Sequence, residues 1–150
     1  MALPEPHPGM VIRYAYLWRS ESDEGRDEGV KERPCAVVLA VKRSGDETKV
    51  VVAPITHAHP VAPNSAIEIP AQTKSRLGLD EARSWIVTDE VNVFTWPGPD
   101  LRPINARNPR RGFVYGALSQ NLTRAVAASV MKNVRKGRAK TVQRDEPLTR

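Results

Sequence analysis

The sequence predicts a mainly β fold of α+β type: a small, strongly bent antiparallel barrel or half-barrel with a C-terminal α-helix. Three observations carry this. Short apolar runs flank turn chemistry, as in "CAVVLAV" and "KVVVAPI" on either side of "KRSGDET". No βαβ alternation accompanies them, so the sheet should be antiparallel. One stretch alone, "SQNLTRAVAASVMKNVRKG", has sustained helical spacing, with Leu122, Val126, Val130 and Val134 at four-residue steps. About five or six short strands and a terminal helix close most simply as a bent sheet capped by that helix.

The elements follow in order. "MVIRYAYLW" (residues 10–18) is rich in β-branched and aromatic residues and reads as a strand. Residues 19–32, "RSESDEGRDEGVKE", combine two glycines, dense charge and no apolar period, which predicts a long exposed loop. Residues 35–41 and 49–55 form a hairpin of buried strands. "AIEIP" alternates and is a further strand, and "PAQTKSRLGL" a short helical turn that Gly78 ends. "SWIVTDEVNVF" is strand-like with a kink near Asp89 and Glu90. "WPGPDLRPINARNPRRG" holds four of the thirteen prolines and is irregular. "FVYGAL" is a last strand or the entry to the helix. Ser119 caps the helix start and Gly137 follows its basic last turn. Residues 137–150 carry too little apolar content to pack, so a domain over residues 1–136 with a basic, disordered tail is expected.

At 150 residues the chain suits one domain with a real core. Its single cysteine, Cys35, sits in an apolar run, which fits a small core residue in a reducing cytoplasm. The N-terminus lacks the basic start and apolar stretch of a secretion signal, and no segment approaches a membrane span. The net charge of +6 is uneven. Residues 101–150 hold twelve Lys/Arg against two Asp/Glu, a net +10, while residues 1–32 and 33–100 are −3 and −1. A basic last third can hold a polyanion, or simply keep a tail solvated.

The chemistry is sparse. There is no glycine-rich phosphate loop, no nucleophile elbow and no metal-spaced Cys/His set, so no metal and no cofactor is expected. Cys35 is no nucleophile, because apolar surroundings raise a thiol pKa. What remains is "VVAPITHAHP", which brings Thr56, His57 and His59 to the mouth of a buried strand, and Arg33 fixed by Pro34 at the start of its hairpin partner. If the strands pair, Arg33 and Thr56 share one edge, where a guanidinium, a hydroxyl and an imidazole can hold a phosphodiester. A solvated arginine and a polar turn are the plain alternatives. Strand alternation sets Thr56 and His57 on opposite faces, so His57 joins only if the strand ends at Thr56.

"HPGMVIRYAYLW", "KERPCAVVLAV" and "VVVAPITH", followed by "AIEIPAQTKSRLGLD", "SWIVTDEVNVFTWPGPDLRP" and the helix after "YGALS", resemble the PemK/MazF family of bacterial toxins. The resemblance covers about residues 8–135. It implies an SH3-like, half-open barrel, a homodimer, and metal-independent cleavage of single-stranded RNA such as mRNA to 2′,3′-cyclic phosphate and 5′-hydroxyl ends. The family's catalytic arginine falls on Arg33 and its threonine on Thr56. His57 is the expected proton carrier, with Lys31, His59 and Arg102 as further RNA contacts. The resemblance also implies an acidic, partly disordered antitoxin as partner.

Two departures stand out. The loop after the first strand is long and acidic, with Glu21, Asp23, Glu24, Asp27, Glu28 and Glu32, and would repel RNA unless it folds away or pairs with Arg26 and Lys31. "WPGPDLRP" replaces a plainer connection. A non-catalytic toxin of the gyrase-poison kind, or an inactive barrel that binds RNA or protein, remain the alternative readings.

Overall fold

A computed structural model describes residues 3–25 and 31–145. The strands are β1 (Met10–Tyr16), β2 (Lys31–Lys42), β3 (Thr48–Thr56), β4 (Ala66–Glu68), β5 (Trp85–Val87), β6 (Glu90–Trp96), β7 (Val114–Ala117) and β8 (Lys140–Gln143). The helices are α1 (Arg19–Asp23), α2 (Ala71–Leu77) and α3 (Gln120–Arg135). One sheet runs β4-β5-β3-β2-β1-β7, with β6 on β3 and β8 on β6. Every pairing but the last is antiparallel. The fold is mainly β, a curled half-barrel with a C-terminal helix.

The curl is made at β3. One edge pairs with β2 along its length, from Lys42↔Thr48 to Cys35↔Pro54. The other edge takes β6 against residues 48–52 and then β5 against Ile55 and Thr56. Pro54 stands at the changeover, where a missing N–H interrupts neither ladder. The expected single kinked strand over residues 84–94 is therefore two strands, broken at Thr88 and Asp89. Helix α3 clamps that break: Asn133 Nδ2 donates to Thr88 O at 2.9 Å and Ser129 Oγ to Thr88 Oγ1 at 2.7 Å. Register shifts at Val37/Leu39 and Val11/Ile12 add bend, as bulges do.

Alternation sorts the core onto two faces. Val11, Ala36, Val38, Ala53 and Ile55 face Val126 and Val130 of α3 and Leu77 of α2. Ile12, Tyr14, Cys35, Val37, Val50 and Val52 face the other way, under Trp18, Trp96, Leu101 and Phe113. The proline-rich stretch is thus the cover of the second face. Burial pushes the Cys35 thiol pKa up, as its apolar run implies. α2 ends at Gly78 in the left-handed conformation, and Ser119 accepts from Leu122 N at the start of α3. No helix among the described residues is long and apolar enough to cross a membrane.

Two further expectations are corrected. The acidic loop begins as α1, with Trp18 N donating to Glu21 Oε1 at 3.0 Å and Arg19 bound to Asp23 at 3.0 Å. Glu32 lies inside β2, while Arg26, Asp27 and Glu28 are outside the described residues. The expected disordered tail is also overturned as far as Asp145. β8 lies parallel to β6, and Val142 is 4% exposed. Its anchors are polar, which a count of apolar residues misses. Arg144 Nη1 donates to Ala15 O at 2.7 Å and Asn92 Oδ1 at 3.1 Å, and Nη2 meets Asp100 at 3.1 Å. Asp145 accepts from Thr95 N at 2.8 Å and pairs with Lys49. Residues 146–150 lie outside the described residues.

Replacing the buried Arg144 by Met removes the cation facing Asp100 and two donors to β1 and β6. Arg144→Met should destabilise the whole domain by about 3 kcal/mol, read as a lower urea midpoint. A midpoint equal to the parent's would mean that the last segment is no part of the cooperative fold.

Candidate functional site

The end of the β2–β3 pair opens into a cleft of about 610 Å³. Arg13, Lys31, Glu32, Arg33, Thr56 and His57 line it, with Lys74 and Asp80 from α2 and the loop after it and Tyr115 from β7. Register explains the first juxtaposition. Continuing the Cys35↔Pro54 pairing by two residues sets Arg33 opposite Thr56, and Arg33 Nη1 reaches Ile55 O at 3.4 Å. Both residues share the parity of Cys35, Val37 and Val52.

The Arg33 guanidinium lies 5.1 Å from the Trp18 ring centroid, a cation–π contact that holds the fork. Its Nε is buried with no hydrogen-bond partner among the described residues. A buried, unused donor on a cation costs free energy unless an anion completes it. Thr56 ends β3, and its Oγ1 accepts from Ala58 N at 3.1 Å. This side chain–backbone turn stops the strand and redirects residue 57. The hydroxyl proton of Thr56 stays available to donate.

His57 follows the bend and lines the cleft. Its Nε2 lies 2.9 Å from Asp80 Oδ2. Asp80 is itself fixed, because Lys74 Nζ bonds Oδ1 at 2.6 Å and Ala82 N donates to it at 3.2 Å. Lys74 is only 5% exposed and is held further by Ser84 Oγ at 2.6 Å and Ala82 O. The Lys74 ammonium holds the Asp80 carboxyl below the ordinary aspartate value of 3.8; partial burial opposes this and the charges of Lys74 and His57 assist it. An ionised carboxylate only accepts, so Nε2 of His57 carries a hydrogen, and a neutral ring in this tautomer would present Nδ1 as a base.

The remaining expected contacts divide. Lys31 is exposed in the cleft lining. Arg102 stands beside the cleft, held by Pro99 O at 2.6 Å, with Nε 3.4 Å from Glu32. His59 turns away: its ring packs 4.9 Å from Trp85 and its Nδ1 contacts Pro60 O at 3.2 Å. Of the acidic residues in the described part of that loop, Glu32 is the one in the cleft lining. Glu21 caps α1, Asp23 pairs with Arg19, and Glu32 pairs with Arg13 and Arg102 rather than with Lys31. No cluster of His, Cys, Asp and Glu able to hold a metal occurs among the described residues.

Sequence reasoning missed Asp80, Lys74, Arg13 and Tyr115. Arg13 carried a signal, being the one charged residue inside the strand "MVIRYAY". Tyr115 and the Lys74–Asp80 pair carried none, since only packing folds α2 and β7 onto the mouth of β3.

Comparison with protein-family models, with curated proteins and with solved structures finds no match. The site therefore rests on its own geometry.

The depressed Asp80 carboxyl makes an acid-sensitivity test. A folded pKa below the unfolded one adds stability that is complete above the ordinary aspartate range and lost as pH falls through the folded value. The gap in urea midpoint between the parent and Asp80→Asn should be full near neutrality and should narrow below about pH 4. A gap constant to the lowest pH would mean that Lys74 does not pair with the ionised carboxylate.

Proposed function

We propose that this chain is a metal-independent endoribonuclease of the PemK/MazF kind, the toxin of a toxin–antitoxin pair, built on an SH3-like barrel. One observation supports it most: Arg33, Thr56 and His57 line a single cleft, and His57 is backed by an anchored carboxylate. That is the equipment for phosphodiester cleavage by the substrate's own 2′-hydroxyl. His57 Nδ1 takes the 2′-hydroxyl proton as O2′ bonds to phosphorus. The Arg33 guanidinium offsets the charge that builds on the pentavalent phosphorus oxygens, and Thr56 donates to one of them. The P–O5′ bond then breaks, and the imidazolium returns a proton to the departing 5′-oxygen. Products are a 2′,3′-cyclic phosphate and a 5′-hydroxyl. Arg33 acts as a charge and not a base, since arginine keeps its proton.

The partners proposed are single-stranded RNA, a second copy of the chain, and an acidic antitoxin in the same cytoplasm. The basic last third supports the antitoxin, because an acidic disordered segment would be drawn to it in a salt-dependent way.

The test is single-turnover cleavage of a long single-stranded RNA in EDTA. The parent protein should cut it and leave cyclic phosphate ends; intact RNA would favour a binding-only barrel and overturn the enzyme reading. His57→Ala should lower the rate by about 10²–10⁴-fold. Arg33→Lys should also be largely inactive, because a point charge does not replace the planar fork. A His57→Ala rate within a few-fold of the parent's would remove the imidazole from the chemistry and leave Arg33 and Thr56 to carry it.

A further inference from the structure

We infer that Arg13 and Arg102 form a second phosphate seat beside the proposed catalytic groups, and that the carboxylate of Glu32 occupies it as a built-in competitor. The inference deepens the proposed nuclease reading and rests on it for the identity of the ligand, a phosphodiester next to the one cleaved.

The seat follows from strand geometry. An isolated bridge pairs Tyr14 with Leu101, and Arg102 N donates to Arg13 O at 3.0 Å. Arg13 and Arg102 are therefore lateral neighbours on adjacent extended segments. Two like charges so placed repel, which costs stability unless an anion lies between them. Glu32 supplies that anion. It pairs with Ala15 in register, two residues along from Arg13 and on the same face. Its Oε1 meets Arg13 Nε at 3.1 Å and its Oε2 lies 3.4 Å from Arg102 Nε. One carboxylate thus spans two guanidinium groups, each oxygen on one of them.

Both arginines are oriented by other groups, so the seat does not depend on Glu32 for its shape. Arg13 Nη1 donates to Tyr115 Oη at 3.0 Å, which leaves the phenol hydrogen to donate to a ligand. Arg102 Nη1 is fixed by Pro99 O at 2.6 Å and Leu101 O at 3.3 Å. A phosphate has the two non-bridging oxygens that the pair would grip, and it takes charge-assisted bonds from guanidinium at least as well as a carboxylate. Glu32 is 43% exposed, so its ion pairs are of the weak, solvent-screened kind that a ligand can displace. Arg13, Glu32 and Tyr115 line the same cleft as Arg33 and His57, which puts this seat within the path of one strand of nucleic acid.

Glu32 is then a brake: it offsets one of the seat's two positive charges until a polyanion replaces it. The probe is inorganic pyrophosphate, titrated while the arginine Nε–H signals are followed by NMR, in the parent, in Glu32→Gln and in Glu68→Gln. Glu68 pairs with the exposed Arg83 and lies outside the cleft lining, so its variant controls for a change of net charge. In the parent the Arg13 and Arg102 signals should shift together. Glu32→Gln should reach the midpoint at about 5-fold lower pyrophosphate, and Glu68→Gln should match the parent. Unmoved Arg13 and Arg102 signals, or equal midpoints in the parent and Glu32→Gln, would overturn the seat. The readout needs no RNA cleavage, so the two readings fail separately. A seat that titrates as stated beside uncut RNA removes the nuclease and keeps the seat; cut RNA with an unresponsive seat does the reverse.

Discussion

The double use of β3 is the constraint on which the rest depends. A strand with a long partner on one edge and two successive partners on the other cannot lie in a flat sheet. It forces the curl between β6 and β5, and the curl places β5 and the loop after α2 at the end of the β2–β3 pair. The cleft exists because β3 stops there. Had β3 continued beyond Thr56, alternation would have carried His57 to one face and the next residue to the other, with no turn toward Asp80. The Thr56 hydroxyl, by bonding Ala58 N, both ends the strand and sets up the site.

Buried charge is used in this fold as fastening, in places where apolar contact is thin. Lys74 ties α2 to the loop through Asp80, Ala82 and Ser84, and so fixes the carboxylate that faces His57. Arg144 does the same at the far side, joining β8 to β1, β6 and the proline-rich cover. Each carries hydrogen bonds to backbone or neutral groups besides its carboxylate, which is the condition under which a buried ion is tolerated. The consequence for function is rigidity: the general base proposed here is positioned by a chain of bonds that begins in the interior.

The charge distribution along the chain is a poor guide to the charge of the cleft. The last third is net +10, yet Arg13, Lys31, Arg33 and Lys74 in the cleft lining all precede it, and among the described residues no Lys or Arg of that third is in the lining. Pairing across strands gathers cations from β1 and β2, segments whose surrounding sequence is acidic. Glu21 is spent on a helix cap and Asp23 and Glu32 on arginine partners, so proximity in sequence to Glu and Asp says little about the field a ligand meets.

The sequence by itself determined the mainly β class, the hairpin of β2 and β3, α3 with its Ser119 cap, and the end of α2 at Gly78. Each depends on local pattern, on turn residues or on apolar spacing, which survive in one dimension. It also put Arg33 and Thr56 at one edge, because hairpin register follows from the two strands alone. Only the tertiary structure decided the rest. The break at Thr88 and Asp89 is enforced by Asn133 and Ser129, more than forty residues away. β8 is ordered by Arg144 and Asp145, whose partners lie on β1, β3 and β6. Asp80 meets His57, and Arg13 meets Glu32 and Arg102, through contacts between separate elements. Polar side chains have no periodicity that announces their partners; their pairing is settled when the apolar core has already brought the strands together.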